Sequence, residues 1–179
     1  MQQIYLDNAA TTPVRPEVEE VMQPYFCEKY GNPSGIYKMA SECRQALETV
    51  RKQIGETLKV SAEEIYFTSG GTESDNWAIK STAQRLKEKG KHIITSKIEH
   101  HAVLNSCAYL ETQGFEVTYL DVDEWGCVRF DALQRAIRKD TILISIMYAN
   151  NEVGTIQPIG QIGKIAKEND IFFHTDAVQ

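Results

Sequence analysis

The sequence predicts an α/β fold: a mostly parallel sheet sandwiched by helices. Two observations predict it. From residue 64 to residue 175, short apolar runs rich in β-branched residues alternate with helical segments, and repeated β–α units with short joins build parallel sheets covered by helices. The composition, 42% hydrophobic and 25% charged over 179 residues, is that of an ordinary globular chain long enough to bury a core.

In order along the chain, residues 15–30 read as a helix with Pro16 near its first turn. Its stop is Tyr30-Gly31-Asn32-Pro33, a glycine followed by a proline. Residues 38–58 read as a second helix, because Ala46, Leu47, Val50, Ile54 and Leu58 recur at spacings of three and four. Ile65-Tyr66-Phe67 reads as a short strand, then 73–89 as a helix, Ile93-Ile94-Thr95 as a strand and 101–113 as a helix. Phe115 to Leu120 is a strand, 130–138 a helix, Ile142 to Met147 a strand, 160–168 a helix, and Ile171 to Thr175 the last strand. There is no internal repeat or low-complexity tract.

The net charge of −6 gives no electrostatic footprint for nucleic acid. No run of apolar residues is long enough for a transmembrane helix. The opening residues, Met1 to Asp7, lack a basic segment followed by an apolar one, so they do not read as a signal peptide. The expected compartment is the cytoplasm. Cys27, Cys43, Cys107 and Cys127 form no C-x-x-C pair and read as reduced structural thiols.

Every candidate motif follows a strand, where open α/β sheets bind ligands. In Thr68-Ser69-Gly70-Gly71-Thr72-Glu73-Ser74 two glycines precede a helix. Glycine lets backbone approach a ligand closely, and a helix start offers N–H groups and a positive dipole end to a phosphate. The plainer reading is a capped turn, with Thr72 as the cap and Asp75 as its partner. No Gly-Lys-Ser/Thr follows, so this is not a Walker loop.

In Ile98-Glu99-His100-His101-Ala102-Val103, an imidazole could stack on a cofactor ring or move protons, or the two histidines could be structural. Asn150-Asn151-Glu152-Val153-Gly154 could orient a polar ligand atom or be an Asn-rich turn. In Phe173-His174-Thr175-Asp176, an Asp just past a buried strand could meet a cationic ring nitrogen or cap a following helix. Metal binding through His174 and Asp176 lacks a convincing third ligand. Asp121 to Gly126 is like a calcium loop, but the position needing a bidentate Glu is Ala132, so the segment reads as a turn.

Taken together, Tyr5-Leu6-Asp7-Asn8-Ala9-Ala10-Thr11-Thr12, Tyr30-Gly31-Asn32-Pro33-Ser34, Phe67 to Ser74, Glu99 to Val103, Asn150 to Gly154 and His174-Thr175-Asp176-Ala177-Val178-Gln179 resemble the NifS/IscS-type cysteine desulfurases. These belong to the class V aminotransferase superfamily of fold type I pyridoxal-phosphate (PLP) enzymes. The resemblance runs along essentially the whole chain.

It implies the cofactor pyridoxal 5′-phosphate, the substrate L-cysteine, a sulfur-acceptor protein and a homodimer. It implies that Gly71 and Thr72 hold the phosphate and that His100 stacks over the ring and assists proton transfer. It further implies that Asn151 bonds the phenolic oxygen or the substrate carboxylate, that Asp176 pairs with the ring nitrogen, and that Gln179 bonds the phenolic oxygen. Asn8 to Thr11 are expected near the substrate carboxylate. Residues 1–14 are expected as an N-terminal segment near a small domain, and 15–179 as part of the PLP-binding large domain.

The resemblance also places four things after Gln179: the lysine that holds the cofactor, the mobile-loop cysteine that takes the sulfur, a small domain with an arginine for the substrate carboxylate, and two strands that insert between the first strand and the rest. The chain alone is therefore expected to be inactive. Two alternatives stay open, a non-catalytic fragment acting in oligomerisation and a related class V aminotransferase or selenocysteine lyase. A Rossmann-type nucleotide binder would need G-x-G-x-x-G after the first strand, which Gly70-Gly71-Thr72 does not supply.

Overall fold

The structure is a computed structural model and describes residues 4–179. Packing divides the chain into two compact units, residues 1–67 and residues 68–179.

In the first unit, α1 spans Pro16–Cys27, with Pro16 at the position where its missing N–H costs nothing. It ends earlier than the sequence predicts. The Glu28 and Lys29 amides both turn back onto the Pro24 carbonyl, which closes the last turn. Helix α2 spans Lys38–Leu58 and stops where Lys59 turns left-handed. Its predicted apolar stripe is present, but Leu47, Val50 and Leu58 are exposed. Within this unit Leu47 and Val50 line a cleft of about 460 Å³ with Tyr25, Tyr30, Pro33 and Phe67. An amphipathic face stays exposed when its own unit supplies no second layer.

A 3-10 turn at Ala62–Glu64 follows, closed by a reciprocal capping box between Ser61 and Glu64. The strand expected at Ile65-Tyr66-Phe67 does not form. The segment is not assigned to any strand and pairs with none of the four described below. Instead the Arg51 guanidinium donates to the Ile65 carbonyl and lies over the Phe67 ring. An apolar run becomes a strand only when a neighbour takes its N–H and C=O groups.

The second unit alternates as predicted: α3 (Gly71–Leu86), β1 (His92–Ser96), α4 (His101–Thr112), β2 (Glu116–Leu120), α5 (Phe130–Ala136), β3 (Thr141–Ser145), α6 (Ile159–Glu168) and β4 (Phe172–His174). The sheet order is β2-β1-β3-β4 and every pairing is parallel. β1 and β3 are buried along their whole length, as central parallel strands are.

Successive side chains on a strand face opposite ways. Ile93 and Leu143 therefore join Ile79, Ala83, Val103 and Leu110 of α3 and α4. Ile94 and Ile144 join Leu133, Ile162 and Ala166 of α5 and α6. The result is the expected three-layer α/β arrangement. At the N-terminal end of β1, buried His92 is bracketed by Thr141 Oγ1 (2.7 Å) and Thr118 Oγ1 (2.8 Å), one on each neighbouring strand. At the opposite end, the turn after β1 and the segments after β3 and β4 carry three of the four predicted motifs, whereas residues 68–74 follow no strand among the described residues. No described helix is long and apolar enough to cross a membrane.

Candidate functional site

Helix α3 begins at Gly71 with Gly70 in the capping position. Thr72 does not cap it, and neither does Asp75. Glu73 reaches back instead, its Oε2 accepting from the Ser69 amide (2.7 Å) and the Ser69 hydroxyl (2.6 Å). Those two bonds hold the Glu73 carboxyl below the usual carboxylate range. Thr72 is thus left exposed on the first turn, beside amides that no preceding helical carbonyl takes. A Cβ at Gly71 would stand 2.9 Å from the Val178 side chain, so a larger residue there would crowd that side chain.

Asp75 is one turn further on and points inward, with its side chain 6% exposed. Its Oδ1 lies 3.5 Å from His174 Nε2, and His174 Nδ1 lies 2.8 Å from Ser145 Oγ. One ligand atom each from Asp75, His100 and Asp176 lie within 4.8 Å of one another. The structure therefore brings together two predicted residues, His100 and Asp176, and adds Asp75, which sequence reasoning had treated only as a capping partner.

His100 occupies the cap position of α4, where its Nδ1 accepts the Ala102 amide at 3.1 Å. That bond places the proton of the neutral ring on Nε2. The preceding residue, Glu99, is buried. Its Oε1 accepts from Ser96 Oγ (2.6 Å) and from the Met147 amide (3.0 Å), while its Oε2 has no partner. Burial pushes its pKa up to about 7, against the lowering effect of the Ser96 and Met147 bonds.

The two asparagines after β3 divide their work. Asn150 is buried, with its Oδ1 accepting from the Glu152 and Val153 amides (2.9 Å each) and its Nδ2 donating to the Ile98 carbonyl (2.9 Å). Gly154 closes that loop at φ +76°, which favours glycine. Asn151 is left exposed, and it lines a cavity of about 300 Å³ with His100, His101, Glu99 and Lys97. Asp176 is held by its backbone, its carbonyl accepting the Tyr148 amide at 2.7 Å, and its Oδ1 accepts the Val178 amide at 3.0 Å. Gln179 follows, exposed. The Asp121–Val128 segment is a turn: Asp123 Oδ1 accepts the Trp125 and Cys127 amides, and Gly126 sits at φ +80°.

The donor types fit a pyridine ring with a phosphate arm: carboxylates and an imidazole lie within 4.8 Å of one another, and a helix start with Gly70-Gly71-Thr72 belongs to the same unit.

Comparison with known proteins agrees. The chain is 64% identical over 176 residues to cysteine desulfurase IscS of Methanosarcina thermophila, covering 98% of this chain and 44% of that protein. It is 60% identical over 178 residues to cysteine desulfurase IscS of Dictyoglomus turgidum, covering 99% of this chain and 45% of that one. Among solved structures, a NifS-like protein superposes with a TM-score of 0.96 at 43% identity, over 99% of this chain and 50% of its own. SspA in complex with cysteine superposes with a TM-score of 0.94 at 46% identity, over 98% of this chain and 50% of its own. The chain thus spans about half the length of these relatives. The aminotransferase class-V family matches residues 4–179, and the chain belongs to that family.

Proposed function

We propose that this chain carries the cofactor-binding half of a PLP-dependent cysteine desulfurase, which takes sulfur from L-cysteine and leaves L-alanine. The observation that carries the reading is the meeting of His100, Asp75 and Asp176 within 4.8 Å at the C-terminal end of a parallel sheet. The names of its relatives favour this reaction over transamination.

The assignments are as follows. The first-turn amides of α3 at Gly71 and Thr72, with the Thr72 hydroxyl, bind the phosphate. The Asp176 carboxylate would accept from the ring N–H. His100 would stack on the ring, and its Nε2–H would be free to take part in proton transfer. Asn151 and Gln179 bond the phenolic oxygen, Asn151 with the substrate carboxylate as its alternative partner. When bound, the cofactor supplies an electron sink for bonds broken at the amino acid's α-carbon. The lysine that holds the cofactor and the cysteine that accepts sulfur are assigned to the part of the whole protein that follows residue 179. A homodimer in the cytoplasm, handing sulfur to an acceptor protein, completes the proposal.

The test is sulfide release from L-cysteine by the whole protein containing this chain. His100→Ala is expected to lower kcat on the order of 10²–10⁴-fold, the range of a lost acid–base group. Asp176→Ala is expected to lower it sharply while phosphate-arm binding persists. Unchanged turnover in both variants would refute the site.

A further inference from the structure

We propose that Glu99 is a positioning residue for this site: its buried carboxyl ties the His100 turn to the exit of β3, and so sets the imidazole relative to Asp176 and Asn151. The importance of that placement rests on the PLP reading above, whereas the tie itself is a matter of geometry.

Glu99 Oε1 accepts from two donors on different segments, Ser96 Oγ at the end of β1 and the Met147 amide just past β3. Residue 100, its immediate neighbour, is the histidine. Residue 148, one step beyond Met147, donates its amide to the Asp176 carbonyl at 2.7 Å. Residue 150 binds back to the Ile98 carbonyl and precedes Asn151. One carboxyl oxygen therefore stands at the junction of the three segments that carry His100, Asn151 and Asp176.

A purely structural tie between two strands would be met more cheaply by an amide or a backbone group. Here the chain keeps a carboxyl that is 5% exposed, with Oε2 unpartnered, which destabilises the fold by leaving a polar atom dry. The neutral form lessens that cost, and burial favours the neutral form. A neutral carboxyl still accepts both bonds through Oε1. The β1 and β3 ends are among the most buried parts of the unit, so the tie joins rigid elements.

Three variants test this by NMR on the protein without added cofactor: Glu99→Gln, Glu99→Leu and Ser96→Ala. Glu99→Leu removes the only acceptor described for the Met147 amide. Exchange of that amide should accelerate by about five- to tenfold, the equivalent of one ordinary hydrogen bond, and the His100 ring resonances should shift. Glu99→Gln keeps the acceptor and should restore slow Met147 exchange and the wild-type His100 signals. If the Leu variant does not fold, Ser96→Ala decides, since it removes one donor and spares the carboxyl. It should shift the His100 ring resonances away from their wild-type positions, and unmoved resonances in that variant would then overturn the proposal.

Unmoved His100 resonances in both Leu and Ala variants would overturn the proposal, as would a Gln variant indistinguishable from Leu. PLP binding, followed by absorbance, should weaken about tenfold in the Leu variant. If wild type and Gln variant bind no PLP at all, the cofactor reading fails, and the amide-exchange and His100 results still decide the tie.

Discussion

Glu99 also makes a prediction about stability that needs no cofactor. Its pKa is pushed from 4.5 to about 7, first by burial and secondarily by the Asp176 charge, against the Ser96 and Met147 bonds and the His174 charge. The native state therefore holds this proton more tightly than the unfolded chain does. The stabilising contribution is fully present below about pH 4.5 and is lost as pH rises through about 7. The difference corresponds to about 3 kcal/mol at neutral to alkaline pH, with a maximum slope of about 1.4 kcal/mol per pH step for one proton. Glu99→Gln cannot titrate, so subtracting its stability isolates the effect from every other group.

The assay is urea unfolding of both proteins by circular dichroism at half-step intervals from pH 4.5 to 8.5. Wild type minus Gln variant should fall by about 3 kcal/mol across that window. A flat difference would show that the carboxyl is not desolvated in the native state. A difference that rises with pH would show that the ionised form is the one the fold prefers, and would refute the reasoning outright.

Two further outcomes are expected from the second unit. Ile144 is fully buried between β3 and the α5–α6 face, so Ile144→Ala should cost about 2–5 kcal/mol in urea unfolding. His92 has its pKa lowered, mainly by burial and then by the Arg138 charge. It stabilises the fold above the ordinary histidine range and loses that contribution as pH falls through it. Wild type should lose stability relative to His92→Gln on acidification from pH 7, the opposite sign to Glu99, with the imidazole followed by NMR.

Much of the second unit was legible because its signals are local. Ile93-Ile94-Thr95 and Ile142 to Met147 are β-branched runs too short for helices, and each is followed by a segment with helical spacing. Parallel pairing follows from that alternation alone. The first unit was less legible, for reasons that are not local. Ile65-Tyr66-Phe67 has strand composition, yet no described strand pairs with it. The stripe on α2 has helical spacing and does form a helix, but Leu47 and Leu58 stay exposed. Periodicity reports which face of an element is apolar, and it does not report whether another layer lies against that face.

The site divides in the same way. His100, Asn151 and Asp176 are legible as candidates because each follows a strand, and the resemblance assigns their roles. Asp75 reads in sequence as a possible capping partner, although its spacing carries a second signal. Asp75, Ile79 and Ala83 are spaced by four and share the buried face of α3, so the acid lies in an apolar stripe where solvation is lost. A carboxylate placed there requires a partner brought from elsewhere in the fold. His174 is that partner, and it comes from the last strand, nearly a hundred residues away. Glu99 gave no periodic signal at all. It precedes the first turn of α4, where an acid ordinarily serves the helix dipole in solvent. Only the packing of β1 beside β3 turns that acid inward and converts a common helix-start residue into the junction of three site-bearing segments. An acid on an apolar stripe can thus be read from one strand of sequence, whereas an acid buried by strand order requires the sheet.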